Sequence, residues 1–244
     1  MKIAVIGTGL IGSQVVRKLT AAGHDAAGHS RSTGVDLLSG DGLDEAVRGA
    51  EVVVDVTNSP TFDDASLNFF RTSVTNLLAA AQAAGVRHIV TLSIVGVDQV
   101  PDLAYYRAKT LQEDLVKAGP IPFSIVRATQ FMEFVVAALG WTTDGDVVRL
   151  PATPIQPISS AEVAAAVADV AAGAPLRSTR DVAGPEVFPL DELGRITLEA
   201  TGDNRRVVAD ETAGLFAMVK GDVLTAPEGA HLATTRFRDW LRSR

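Results

Sequence analysis

Short apolar runs of strand length alternate along the chain with longer stretches whose apolar residues recur at helical spacing. "KIAVIG" predicts a strand, followed by a helix to about residue 22 that Gly23 ends. "DAAGHS" predicts a weak, alanine-rich second strand that ends at Arg31, "GVDLL" a third, and "LDEAVRGA" a short helix. "EVVVDVT" is a fourth strand, with valine on both faces. "SLNFFRTSVTNLLAAAQAAG" predicts a long helix with apolar residues at Phe69, Val74, Leu77, Leu78 and Ala81 that stops at Gly85. "RHIVTLSIVG" is a fifth strand, "LAYYRAKTLQEDLVKAG" a helix stopped by Gly119, and "FSIVRA" a sixth strand. Strands without polar alternation are buried on both faces, and strand–helix alternation makes parallel βαβ units.

The rhythm loosens after about residue 131. "LPATPIQPIS" is proline-rich loop, "SAEVAAAVADVAAG" a helix capped by Ser160, "LGRITLEATG" another after Pro189-Leu190-Asp191-Glu192, and "TTRFRDWLRSR" a short amphipathic tail helix. The predicted class is α/β: one Rossmann-type, doubly wound parallel sheet spanning residues 1–244. Residues 1–131 form the dinucleotide-binding core, and residues 132–244 a small C-terminal substrate lobe that does not fold independently.

Composition narrows the function classes. At 244 residues and 47% apolar, the chain suits one large globular domain or a domain with a small lobe. Its 22 basic and 29 acidic residues give a net charge of −7, which argues against nucleic acid or an anionic membrane as partner. The absence of cysteine removes disulfides, thiol catalysis and thiolate metal sites. The scattered His24, His29, His88 and His231 offer no metal-binding pair, so no metal is expected. A strand beginning by residue 3 leaves no room for a signal peptide, and the longest apolar run is too short to cross a bilayer, so a cytoplasmic protein is expected.

Gly7-Thr8-Gly9-Leu10-Ile11-Gly12 is a G-x-G-x-x-G run between a strand and a helix. The first glycine allows the tight turn, the second lets a pyrophosphate approach the backbone, and the third lets helix and strand close up. The helix start then offers N–H groups to the anion. An NAD site usually places a carboxylate about 20 residues later, at the end of the second strand. Ser30-Arg31-Ser32 stands there, and Asp25 lies at the strand's other end. A guanidinium flanked by hydroxyls suits a 2′-phosphate, so NADP(H) is the preferred cofactor and NAD(H) the alternative. Asp36 and Leu37 are placed beside the adenine, and Thr57, Asn58 and Ser59 at the crevice mouth.

Candidate chemistry lies in "LAYYRAKTLQ". Tyr105 and Lys109 are four residues apart and share a helix face, whereas Tyr106 points roughly 100° away. A phenol near pKa 10 becomes a better acid–base group beside an ammonium, which also reaches cofactor ribose hydroxyls. Ser93 ends the fifth strand, where the ligand crevice of a parallel sheet opens. Ser93, Tyr105 and Lys109 are therefore expected to converge near a nicotinamide ring.

Together "GTGLIG", "HSRS", "VTNSP", "LSIVG", "YYRAK" and "FSIVRATQFMEF" resemble the short-chain dehydrogenase/reductase superfamily, and more closely its atypical, NmrA-like NAD(P)H-binding branch. The resemblance implies carbonyl reduction in which Ser93 orients the carbonyl, Tyr105 donates the proton, and Lys109 holds the ribose and lowers the tyrosine pKa. It also implies that Ala128, Thr129 and Phe131 lie beside the nicotinamide. Phe131, Phe134 and Trp141 either line a substrate pocket or pack as ordinary core. The glycine loop departs from the T-G-x-x-x-G-x-G of the best-known reductases of the superfamily, and no asparagine clearly completes a proton relay.

The leading expectation is an NADPH-dependent oxidoreductase that reduces a small carbonyl or conjugated substrate. The alternative is a non-catalytic NADP(H)-binding redox sensor or regulatory protein of NmrA type. Epimerase or dehydratase chemistry on a nucleotide sugar ranks third, because the C-terminal third is short for a sugar-nucleotide lobe.

Overall fold

The computed structural model describes all residues from Met1 to Arg244. The first half runs β1 (Lys2–Ile6), α1 (Gly12–Ala21), β2 (Asp25–His29), α2 (Leu43–Val47), β3 (Val52–Asp55), α3 (Ala65–Ala83), β4 (His88–Ile94), α4 (Ala104–Ala118) and β5 (Phe123–Ala128). There follow α5 (Met132–Trp141), β6 (Thr143–Asp144), β7 (Val147–Leu150), β8 (Pro154–Ile155), α6 (Ser160–Ala172), β9 (Thr179–Ala183), β10 (Phe188–Pro189), α7 (Leu190–Thr201), β11 (Arg206–Ala209), β12 (His231–Leu232) and α8 (Phe237–Arg242).

A seven-stranded sheet carries the fold, in the order β12-β9-β5-β4-β3-β1-β2. β1 lies parallel to both β2 and β3, so the strand order reverses at β1. That reversal opens a crevice beyond the C-terminal ends of β1 and β3, the usual ligand position in such sheets. The two strands are apolar because both faces are covered: Ile3, Val5, Val53 and Val54 are all 1% exposed or less. The predicted α/β class and its parallel sheet are therefore present.

Some local expectations are corrected. "GVDLL" forms turns instead of a strand: Gly34 and Gly40 take positive φ, and Leu38 N–H bonds to the Asp36 carboxylate. Val35 and Leu37 still supply buried side chains, which explains their apolar character. β2 stops at His29, and Arg31–Thr33 makes one turn of 3₁₀ helix instead of strand. α3 buries Phe70, Val74, Leu77 and Ala81 in the core, with Phe69 and Leu78 packed at its margin. Ser159, not Ser160, caps α6, accepting the Glu162 N–H and donating to its carboxylate, while the Ser160 hydroxyl donates to Glu133.

The chain forms two compact units. The first comprises Met1–Ser93, Pro101–Arg127 and Val163–Arg180. One of its cores joins Ile6, Val53, Phe70, Val74, Leu77, Ile89, Ala108 and Val116. The second comprises Ile94–Val100, Ala128–Glu162 and Asp181–Arg244. It holds the β11-β7-β6 sheet, the β10-β8 pair, α5, α7 and α8. No helix is long and apolar enough to cross a membrane.

Candidate functional site

The glycine loop turns where the sequence requires it. Gly7 sits at φ +103°, and its N–H donates to the His29 carbonyl of β2. Gly12 opens α1 directly against Gly7, and a Cβ on Gly9 would meet nothing within 4 Å. The open side of the loop is thus at Gly9, between Thr8 and the half-exposed Leu10. The N–H groups of Leu10 and Ile11 donate to no acceptor in the chain, and Ile11 is the N-terminal flank of α1. Free amides at a helix start beside an uncrowded glycine suit a pyrophosphate.

Hydroxyls crowd the end of β2. Thr8 donates to Ser30 at 2.9 Å, Ser30 and Ser32 share a hydrogen bond of 2.8 Å, and the Ser30 N–H donates to Thr33. Arg31 is exposed and has no ion pair within the chain. No carboxylate stands at this strand end, and the nearby His29 has its pKa lowered by burial and by Lys2. Such a group of cation and hydroxyls fits a 2′-phosphate better than a bare ribose diol. Next along the chain, the Leu37 carbonyl accepts from Asn76 Nδ2 at 2.8 Å.

β3 delivers a group that the sequence did not single out. Asp55, its last residue, is 1% exposed. Its Oδ1 accepts the Thr57 N–H at 3.0 Å and the Thr57 hydroxyl at 2.6 Å, and its Oδ2 accepts Gln112 Nε2 at 2.8 Å. Ser59 is buried and accepts the Thr61 N–H. Asn58, expected at the cofactor, accepts the hydroxyl of Tyr105.

The three candidate catalytic groups point to three partners. Tyr105 reaches Asn58, with Phe62 edge-on to its ring at 4.9 Å and Phe70 at 6.3 Å. Lys109, 4% exposed, donates to the Leu92 carbonyl at 2.7 Å and to Gln112 Oε1, and its ammonium lies 4.9 Å from the Phe70 ring centre. Ser93, also 4% exposed, has no hydrogen bond of ordinary geometry and faces the Glu113 carboxylate. Glu113 is pushed up by burial, but Arg127, Ser93 and Lys117 outweigh this and hold it below its ordinary value. Arg127 grips it from both Nε and Nη2, at 2.8 and 2.7 Å.

The expected lowering of the Tyr105 pKa is reversed. Burial and then Tyr106 push it above its ordinary value. The Lys109 ammonium is turned inward and does not hold a phenolate; burial pushes its own pKa down to about 8 against the pull of Asp55 and Glu113.

In the second unit, Ala128 and Thr129 are buried at the end of β5, and the Thr129 hydroxyl has no hydrogen-bond partner. Half-buried Phe131 flanks the start of α5. Phe134 stacks edge-on against Trp141 at 5.2 Å and Phe216 at 5.5 Å, and Trp141 is 63% exposed.

Comparison with known proteins gives a consistent picture. A family model described as NAD(P)H-binding matches residues 7–173, more than half of the chain. The (4-alkanoyl-5-oxo-2,5-dihydrofuran-3-yl)methyl phosphate reductase of Streptomyces griseus subsp. griseus is 32% identical over 178 residues. That match covers 65% of this chain and 60% of the reductase, less than two thirds of the relative's own length. Among solved structures, the NADPH-dependent quinone oxidoreductase of Escherichia coli superposes with a TM-score of 0.68 at 19% identity, covering 99% of this chain and 98% of that one. The triphenylmethane reductase of Citrobacter sp., complexed with NADP(H), gives a TM-score of 0.67 at 18% identity, with 86% and 79% covered. At such identities the two structures establish a shared fold.

Proposed function

The chain belongs to the NAD(P)H-binding family, and on that premise we propose that it is an NADPH-dependent oxidoreductase that reduces a small carbonyl or conjugated substrate. We place it in the atypical short-chain dehydrogenase/reductase group, of NmrA-like type. The observation that carries this reading is the Tyr105 hydroxyl, held on Asn58 three residues beyond β3, at the strand end that borders the crevice.

NADPH, when bound, would supply the hydride for the electrophilic carbon. The Leu10 and Ile11 amides would hold the pyrophosphate of a bound cofactor, and Arg31 with Ser30 and Ser32 would hold a 2′-phosphate. Tyr105 gives its proton to the substrate oxygen as negative charge develops there, exchanging its bond to Asn58 for one to substrate. Lys109, buried and cationic below about pH 8, is held on the Leu92 carbonyl and Gln112 and takes no direct part in the proton transfer. Ser93 serves from the interior, through Glu113, and a direct contact with the carbonyl would need its hydroxyl to turn. The reductase names of the Streptomyces and Citrobacter proteins support the reaction type.

A second reading is a non-catalytic NADP(H) sensor. It is favoured by the separate partners of Ser93, Tyr105 and Lys109. The deciding experiment incubates the purified protein with NADPH and a panel of quinones, enones, aldehydes and butenolides. Substrate-dependent NADPH oxidation supports the reductase. Tight NADPH binding with no oxidation across the panel supports the sensor.

A further inference from the structure

Tyr105 and Lys109 stand one turn apart on α4, yet their polar atoms are joined by a longer route. Lys109 donates to Gln112 Oε1, and Gln112 Nε2 donates to Asp55 Oδ2 at 2.8 Å. Asp55 Oδ1 holds both the N–H and the hydroxyl of Thr57, whose chain neighbour Asn58 takes the Tyr105 hydroxyl. The inner members are sealed from water, with Asp55 1%, Lys109 4% and Gln112 0% exposed. An amide between a carboxylate and an ammonium satisfies both in one orientation only, N–H toward the carboxylate and oxygen toward the ammonium. Carboxylate and ammonium would each be costly here without that bridge.

We propose that Gln112 is a positioning residue for the Tyr105 proton donor: by bridging Lys109 and Asp55 it anchors Thr57 and so fixes Asn58 against the phenol. Its part in catalysis rests on the reading of Tyr105 as the donor; the linkage itself is measurable without a substrate. A phenol donating to an amide oxygen loses that bond on ionising, so Asn58 favours the neutral form, as burial does. Breaking the bridge frees Thr57 and Asn58, loosens the acceptor that holds the neutral phenol and eases its ionisation.

The two tyrosines, Tyr105 and Tyr106, make this readable. In the full-length Tyr106→Phe variant the ultraviolet tyrosinate band reports Tyr105 alone. At about pH 11, above the ordinary phenol value and with Lys109 a neutral amine that still donates to Gln112 Oε1, this parent should be folded by circular dichroism and show almost no tyrosinate. Asn58→Ala in that background should expose the band and set its scale. Gln112→Leu should produce at least half of that signal while folded. Thr57→Val, which removes one donor at a partly exposed site, should produce a smaller rise. A folded Gln112→Leu protein as free of tyrosinate as the parent overturns the proposal, as does Asn58→Ala without effect. If Gln112→Leu does not fold, Thr57→Val decides: a band above the parent's supports the linkage, and none overturns it. Failure of the protein to oxidise NADPH would sink the reductase reading and leave these results standing. With an active substrate, Gln112→Leu should lower kcat several-fold and change KM little.

Discussion

A Cβ on Gly12 would stand 1.8 Å from the carbonyl oxygen of Gly7. No rotamer relieves a clash between a Cβ and a backbone atom, so Gly12→Ala must separate α1 from β1. We expect it to lower stability by about 3 kcal/mol, read from urea unfolding. At Gly9, where nothing lies within 4 Å, an added methyl should leave the fold alone and intrude on the proposed pyrophosphate position. Gly9→Ala should unfold within about 0.5 kcal/mol of the parent and bind NADPH at least tenfold more weakly by fluorescence titration. Equal affinity would place the pyrophosphate elsewhere.

Tyr105→Phe removes the proton and keeps the ring that Phe62 and Phe70 contact. Loss of a general acid costs on the order of 100-fold or more in turnover. NADPH affinity should stay within about twofold of the parent, because the phenol's one hydrogen bond goes to Asn58. Undiminished turnover in the variant would remove Tyr105 from the mechanism.

Arg31→Glu places a carboxylate where Arg31 now stands exposed and unpaired. A repelled 2′-phosphate should weaken NADPH by about 100-fold, whereas NADH, with a diol in that place, should bind equally well or better. Parallel calorimetric titrations with the two cofactors check this. A uniform loss for both would show that Arg31 does not read the 2′-phosphate.

His88 is 3% exposed at the start of β4, sharing a hydrogen bond of 2.8 Å with Ser124, and burial pushes its pKa down to about 4 from 6.5. Between those two values the unfolded chain takes up the proton and the folded chain does not, so stability falls as pH drops through this window. The loss should be on the order of 2 kcal/mol between pH 6.5 and 4, relative to the non-titrating His88→Gln variant. Urea midpoints at half-unit pH steps would expose it, and parallel curves for the two proteins would contradict it.

What the sequence made legible was local. The glycine run, the missing carboxylate after β2 and the limits of β5 follow from residues adjacent in the chain, where turn chemistry and apolar runs act directly. "GVDLL" misled because burial alone makes Val35 and Leu37 look like strand, although two left-handed glycines bend the segment into turns. The Asp55–Gln112 bridge spans 57 residues and the Tyr105–Asn58 bond 47, and neither leaves a periodic trace. The direction of Lys109 was likewise hidden: i,i+4 spacing states which face a side chain shares, not whether it turns toward a neighbour or into the interior.

The interleaving of the two units bears on how the protein is made. Val163–Arg180 belongs with the nucleotide-binding strands, and the part of α6 within it buries Val163, Val167 and Ala171. A ribosome releases this segment only after the intervening stretch of the second unit has emerged. The first unit therefore stays incomplete until most of the polypeptide is synthesised, and nascent chains arrested before residue 163 should remain protease-sensitive and bind chaperones. For the same reason the nucleotide site is not a cassette to be cut out by trimming the C-terminus; a graft would have to carry the late segment with it.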